Sequence, residues 1–150
     1  MIQRIQSLWL LIAAICAFLC LKFSFYTGNI LENEQLVLRK LTSLGLDGTT
    51  TDVATEVNAI SLLLATATGI IALVAIFMFS NRKTQIRLTL VALLLSLLSL
   101  GYLFLRTNDF SDGTLSLTSI FAFLPPVFLF LAWRGIYKDE KLVKSMDRLR

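Results

Sequence analysis

Any chemistry in this chain has to come from a short set of side chains. Cys16 and Cys20 stand i, i+4 apart in the first apolar run. On a helix that spacing puts both on one face, near each other but poorly placed for a disulfide. The functional reading is a redox pair. The simpler reading, two small apolar side chains packed against a neighbour, is the one adopted. The other candidates are hydroxyls within apolar stretches: Ser61, Thr66, Thr68, Ser96, Ser99, Tyr102, Thr118 and Ser119. They could line a polar pathway, but proton or ion coupling calls for an acid or base at mid-depth, and the centres of these stretches carry no charge. Such hydroxyls more often bond the preceding turn or a neighbouring helix, for about 0.6 kcal/mol on average. There is no histidine. That removes the commonest metal ligand, the commonest general acid–base near neutral pH, and every Ser-His-Asp arrangement. With no convergent acid–base cluster either, the expectation is a non-enzymatic protein with no cofactor and no metal.

The elements that hold these residues are apolar. Of the 150 residues, 56% are hydrophobic and 16% charged, with a mean hydropathy of +0.75. Soluble domains are nearer 45–50% and about 25%, and so small a chain cannot bury the excess in one core. Four runs stand out: Leu8–Tyr26, Ile60–Phe79, Leu88–Leu105 and Leu115–Trp133. Each is near the roughly 17–25 residues a helix needs to cross about 30 Å of hydrocarbon. Alternating ten-residue strands are missing, so helices are the structure that satisfies the backbone in lipid. The expected fold is an all-α integral membrane protein of one domain. Its four transmembrane helices (spans about 8–26, 57–79, 86–105 and 115–134) form an up-down bundle. The first run resembles a signal peptide, but bulky residues occupy the positions where cleavage needs small ones. It reads as a retained helix, with Lys22 snorkelling to an interface.

Basic residues set the orientation. One side collects Arg4, Arg82, Lys83, Arg87 and the six of the tail, ten in all; the other has Lys22, Arg39, Lys40 and Arg106. The positive-inside rule then places both termini in the cytoplasm. Residues 27–55 form the outer loop and 135–150 a cytoplasmic tail. In the outer loop Leu36, Leu38, Leu41, Leu44 and Leu46 fit neither helical nor strand period cleanly, leaving a short strand and an interfacial helix both open. Asp52 fits as N-cap of the second helix. The Arg106–Thr114 link reads as a plain turn, and the Ser80–Arg87 link makes a tight hairpin. No internal repeat supports an inverted-repeat transporter.

Small residues form ridges. Ser61, Ala65, Gly69 and Ala72 line the second helix, with Thr68 and Ala75 beside them, and Ala13, Ala17, Cys20 and Ser24 line the first. Such ridges let backbones approach, and close packing is what holds helices together in lipid. Contact within the bundle is the main reading; contact with another membrane subunit is the functional one. Pro125 and Pro126 remove two backbone donors from the fourth helix, so a kink or local break is expected there. Trp9 and Trp133 suit the inner interface, Tyr26 and Tyr102 the outer.

The ending RGIYKDEKLVKSMDRLR is basic and amphipathic. Asp139 can cap a new helix in which Leu142, Val143, Met146 and Leu149 share a face. The expectation is therefore a bend near Lys138–Asp139 and a separate segment over 140–150. Together with Arg82, Lys83 and Arg87, the residues Lys138, Lys141, Lys144 and Arg148 would make a basic cytoplasmic face. That face would meet anionic lipid, at about 1 kcal/mol per basic residue, or a cytoplasmic protein. Nucleic acid is a poor fit, without stacking aromatics or a folded basic domain.

Three stretches, MIQRIQSLWLLIAA, NRKTQIRLTL and RGIYKDEKLVKSMDRLR, resemble an uncharacterised family of small four-span inner-membrane proteins of Bacteroidota, grouped as a domain of unknown function. The resemblance runs over the whole chain. It implies four spans in a bacterial inner membrane, and it brings no activity, cofactor or catalytic residue. The expected role is that of an accessory or structural subunit that binds other integral membrane proteins, or itself, besides membrane lipid. A small oligomeric transport or channel component is the alternative. A lipid-acting enzyme is disfavoured without histidine or intramembrane acids.

Overall fold

The computed structural model describes residues 2–32, 35–41, 45–48, 56–57, 59–78, 81–108 and 112–147. Four helices carry the apolar runs: α1 (Ile2–Lys22), α2 (Ala59–Phe77), α3 (Arg82–Thr107) and α4 (Ile120–Asp147). Each is long and apolar enough to cross a membrane. α1 packs on α2 and α4, and α3 packs on α2 and α4, so the helices form a ring in which sequence neighbours are spatial neighbours.

The interior is made of small side chains. Ala13, Ala14, Ala72, Ala75, Ala92 and Ala132 are buried together with Leu10, Leu129 and Ile136. Large side chains point outward: Leu63, Leu98, Leu105 and Phe77 are all more than 60% exposed. In water this would expose too much oil. In lipid, whose tails are as apolar as leucine, close backbone approach is the gain, and small residues belong inside.

The chain is not all helix, which corrects the all-α expectation. Five strands, β1 (Tyr26–Glu32), β2 (Gln35–Leu41), β3 (Gly45–Gly48), β4 (Glu56–Val57) and β5 (Asp112–Leu115), form an antiparallel sheet in the order β4-β3-β2-β1-β5. Of the two conformations left open for the outer loop, strand is the one adopted. The 106–114 link is more than a plain turn, because β5 pairs with β1, with Gly28 opposite Gly113. A Cβ on Gly113 would lie 2.7 Å from the Thr27 carbonyl oxygen and 2.8 Å from Gly28 Cα. Only a residue without a side chain fits there, under the ring of Tyr26.

Phe25 fastens the sheet to the bundle. Its N–H donates to the Leu41 carbonyl at 2.7 Å and its carbonyl accepts from the Ser116 N–H at 3.1 Å. Its ring is buried with Leu41 and Leu103 and meets Phe104 edge-on at 5.4 Å. This explains why α1 ends at Lys22 and not at Tyr26: Tyr26 already belongs to β1. Beside it, Ser24, Ser116 and Thr118 form a triangle of hydroxyls, with Thr118 also donating to the Ser24 carbonyl at 2.5 Å. α2 starts at Ala59, with Val57 in β4; Asp52, read as its N-cap, lies outside the described residues. α3 starts at Arg82, where Asn81 accepts from the Thr84 N–H in a long 3.5 Å contact. A single 3₁₀ turn, Leu117–Ser119, leads into α4.

Two further expectations concern α4. It runs as one helix through Pro125 and Pro126, so the prolines do not break it. They lie in its second turn, where the carbonyls of Phe121 and Ala122 lose their helical donors. Nor does a new helix start at Asp139, since α4 continues to Asp147. The reason is a partner from the other end of the chain. Gln6 Nε2 on α1 donates to Asp139 Oδ2 at 2.6 Å. Ile136 and Ala132 are buried one and two turns before Asp139, whereas Leu142 and Val143 beyond it are exposed, and the Asp139 carboxylate is satisfied by Gln6 without capping a new helix.

Candidate functional site

The predicted ridge on α2 is turned inward. Ser61, Ala65, Thr68, Gly69, Ala72 and Ala75 are all buried. Gly69 lies beneath the Phe18 ring of α1, close enough that a Cβ would sit 2.8 Å from Phe18 Cζ. Ala72 packs in the central cluster with Leu10 and Ala14. The ridge therefore meets α1 of its own chain. On α1, Ala13, Ala17 and Cys16 are buried, and Cys16 and Cys20 are free thiols.

The hydroxyls converge more than their spacing suggests. Thr68 of α2 and Ser96 and Ser99 of α3, with Cys20 of α1, line one cavity in the half of the bundle nearer the sheet. Its volume of about 20 Å³ is room for roughly one water molecule. Thr68 donates to the Leu64 carbonyl and Ser96 to the Leu93 carbonyl, both at 2.7 Å, so each hydroxyl proton is already used within its own helix. Thr66 and Thr89 also bond back to the preceding turn. Hydroxyls that satisfy themselves this way cost little to bury. Among the described residues no group of three or more Cys, Asp and Glu is placed to hold a metal.

The end of the bundle away from the sheet carries a polar layer. Gln85 Nε2, buried on α3, donates to the Ala75 carbonyl at 3.1 Å. That carbonyl belongs to the last turn of α2, where four acceptors lack helical partners. Gln85 is thus a side-chain cap for a neighbouring helix. Gln6, also buried, lies across Gly135, whose Cβ would be 3.2 Å from Gln6 Cγ, and reaches Asp139 one turn further on. Gly135 gives the amide its passage. Neither glutamine stands out in the sequence, because a glutamine at a helix end reads as solvated surface. Only the positions of Ala75 and Asp139 give these two a role.

The basic residues gather at this same end. Lys83 and Arg87 at the start of α3, and Lys138 and Lys141 near the end of α4, are exposed, and Arg82 is half-buried. Lys144 lies in the last turns of α4, and Arg148 falls outside the described residues. Folding thus unites two basic clusters more than fifty residues apart in sequence. Trp9 stacks on Phe128 at 5.5 Å and Trp133 on Tyr137 at 5.9 Å. Pro125 is buried against the cavity, whereas Pro126 is half-buried on the outer surface.

A family model described as "Domain of unknown function (DUF4293)" matches residues 2–149. The chain belongs to this family. The DUF4293 match takes in α1, the sheet, the α2–α3 pair and the basic end of α4 together, so the bundle and its sheet cap are one family unit. Neither a curated protein nor a solved structure matches the chain.

Proposed function

We propose that this protein is a non-enzymatic, multi-pass component of a bacterial inner membrane, of the Bacteroidota type, with both termini in the cytoplasm and its sheet outside. In this reading it serves as an accessory or structural subunit for other integral membrane proteins. The sidedness rests on basic residues, since the ten on the helix-end side outnumber the four on the sheet side and lysine and arginine are retained in the cytoplasm.

One observation carries the subunit role. The cavity among Thr68, Ser96, Ser99 and Cys20 has a volume of about 20 Å³, and the small side chains of the interior pack helices together. The two ends offer surfaces for a partner, an exposed sheet edge at β5 and a cationic surface at the ends of α3 and α4. Purification in mild detergent at native expression level tests this. A membrane protein retained at one-to-one stoichiometry, and released by charge removal at Lys83 and Lys141, is the expected result. A clean homo-oligomer that passes ions or solutes when reconstituted would overturn it in favour of a transport component.

A further inference from the structure

An apolar groove opens on the outer surface of the bundle. It lies between α3 and α4, has a volume of about 450 Å³, and is lined by Leu93, Leu97, Phe123, Pro126, Val127 and Phe130. That volume is within the roughly 300–1,000 Å³ of small-molecule sites. Pro126, half-buried on α4, forms part of the groove's wall with Val127. Phe123 and Phe130, seven residues apart and so about 10 Å along the axis, wall the hollow at either end. Leu93 and Leu97 form its α3 side. Every lining side chain is apolar, and all belong to helices long and apolar enough for a bilayer.

The row continues into charge. Arg134 follows Phe130 by one turn, about 6 Å further along α4, and is exposed. Lys138 and Lys141 come within the next two turns, also exposed. Trp133 and Tyr137 stack at 5.9 Å at the same level, and Phe130 adjoins Trp133 at 5.9 Å. Such a Trp–Tyr pair is typical of the headgroup boundary. Asp139 is engaged by Gln6 on the α1 side, and Glu140 is the remaining acid in these turns. Apolar hollow, aromatic boundary and cation thus follow one another in the order of a phospholipid's chain, glycerol region and phosphate.

We propose that the α3–α4 groove binds one acyl chain of an anionic phospholipid, whose headgroup phosphate is held by Arg134 with Lys138 a turn further on. Arginine suits this position, because its planar fork matches phosphate oxygens and its long stem reaches the boundary from within the span. The charge selects an anionic headgroup over a zwitterionic one, and the groove selects a lipid over a soluble phosphate. The site rests on the helices lying in a bilayer and is independent of the subunit role.

Native mass spectrometry of the full chain in an uncharged detergent tests it. Phosphatidylglycerol and phosphatidylcholine with identical acyl chains are added in competition, and inorganic phosphate is added separately. One phosphatidylglycerol per chain is expected, in preference to phosphatidylcholine, with no retention of phosphate alone. Arg134→Gln should lower phosphatidylglycerol retention about five-fold, the effect of one basic residue at an anionic surface, and leave phosphatidylcholine unchanged. Val127→Trp fills the hollow from an exposed position and should abolish retention of both lipids; Leu97→Trp does so from the opposite wall. Equal retention of the two lipids, or full retention in both tryptophan variants with the helical spectrum intact, would overturn the proposal. So would a lipid-free dimer that Val127→Trp dissolves, since the occupant would then be a second copy. Release of the wild-type protein from membranes by alkaline carbonate would instead mean that the bilayer placement itself is wrong.

Discussion

Replacement of Gly69 measures how tightly α1 and α2 are held. An added Cβ would lie 2.8, 2.9 and 3.1 Å from Phe18 Cζ, Cε2 and Cε1, where carbon atoms prefer about 3.5–4.0 Å. Alanine needs the ring to retreat by several tenths of an ångström. Phe18 is 37% exposed, so it has room to tilt, at about 0.5–1.5 kcal/mol if it leaves its rotamer. Against this, alanine gains up to about 1 kcal/mol of helix propensity over glycine. Gly69→Ala should therefore be within about 1 kcal/mol of wild type. Leucine brings three more carbons into the same space and cannot be cleared by a tilt, so Gly69→Leu should cost about 1–3 kcal/mol. Removing the ring should return much of that cost. The double variant Phe18→Ala/Gly69→Leu is expected to show about 1–2 kcal/mol of favourable coupling, within the range found for residues in contact. Thermal unfolding in detergent, followed by tryptophan fluorescence, gives the four corners of the cycle. Additive single effects, or a Gly69→Leu protein as stable as wild type, would refute a ridge packed against Phe18.

Gly113→Ala should be far more damaging than Gly69→Ala, because besides the Tyr26 ring its neighbours are the backbone atoms of Thr27 and Gly28, which cannot tilt away; loss of cross-linking between engineered cysteines at Thr27 and Thr114 would report the separation of β5 from β1. Gly101 has open space around it, and Gly101→Ala should raise stability by up to about 1 kcal/mol, read in the same melting assay. Gln6→Leu should cost about 1.5–3 kcal/mol by stranding the Asp139 carboxylate, and adding Asp139→Leu to it should recover part of that loss. Gln85→Leu leaves the Ala75 carbonyl without its donor, for about 1–3 kcal/mol, and faster amide hydrogen exchange at the end of α2 should accompany it.

Much of the architecture was legible in the chain because lipid asks a coarse question. A run such as Ile60–Phe79 is long enough, apolar enough and uncharged, and these properties belong to the run itself, so the number of helices and their rough positions follow without knowing what they touch. The ridge at Ser61, Ala65, Gly69 and Ala72 was legible for the same reason: only a contact needs small side chains in a row. What touched the ridge was not. Phe18 is one large apolar residue among many on α1, and its place over Gly69 comes from how the two helices cross. The sheet depended on tertiary structure still more. LVLRKL in β2 has leucines on both faces and no clean period, while DGTL in β5 has no strand pattern at all. Its four residues pair with β1 only because the bundle brings the end of α3 to the end of α1. Asp139 makes the same point about charge. A carboxylate in an apolar stripe reads, locally, as a cap and a bend. The helix continues to Asp147, and the amide that satisfies the carboxylate comes from Gln6, 133 residues away in sequence. Periodicity and composition are local quantities; the partner of a buried polar group is not, and that choice was made by the packing of α1 against α4.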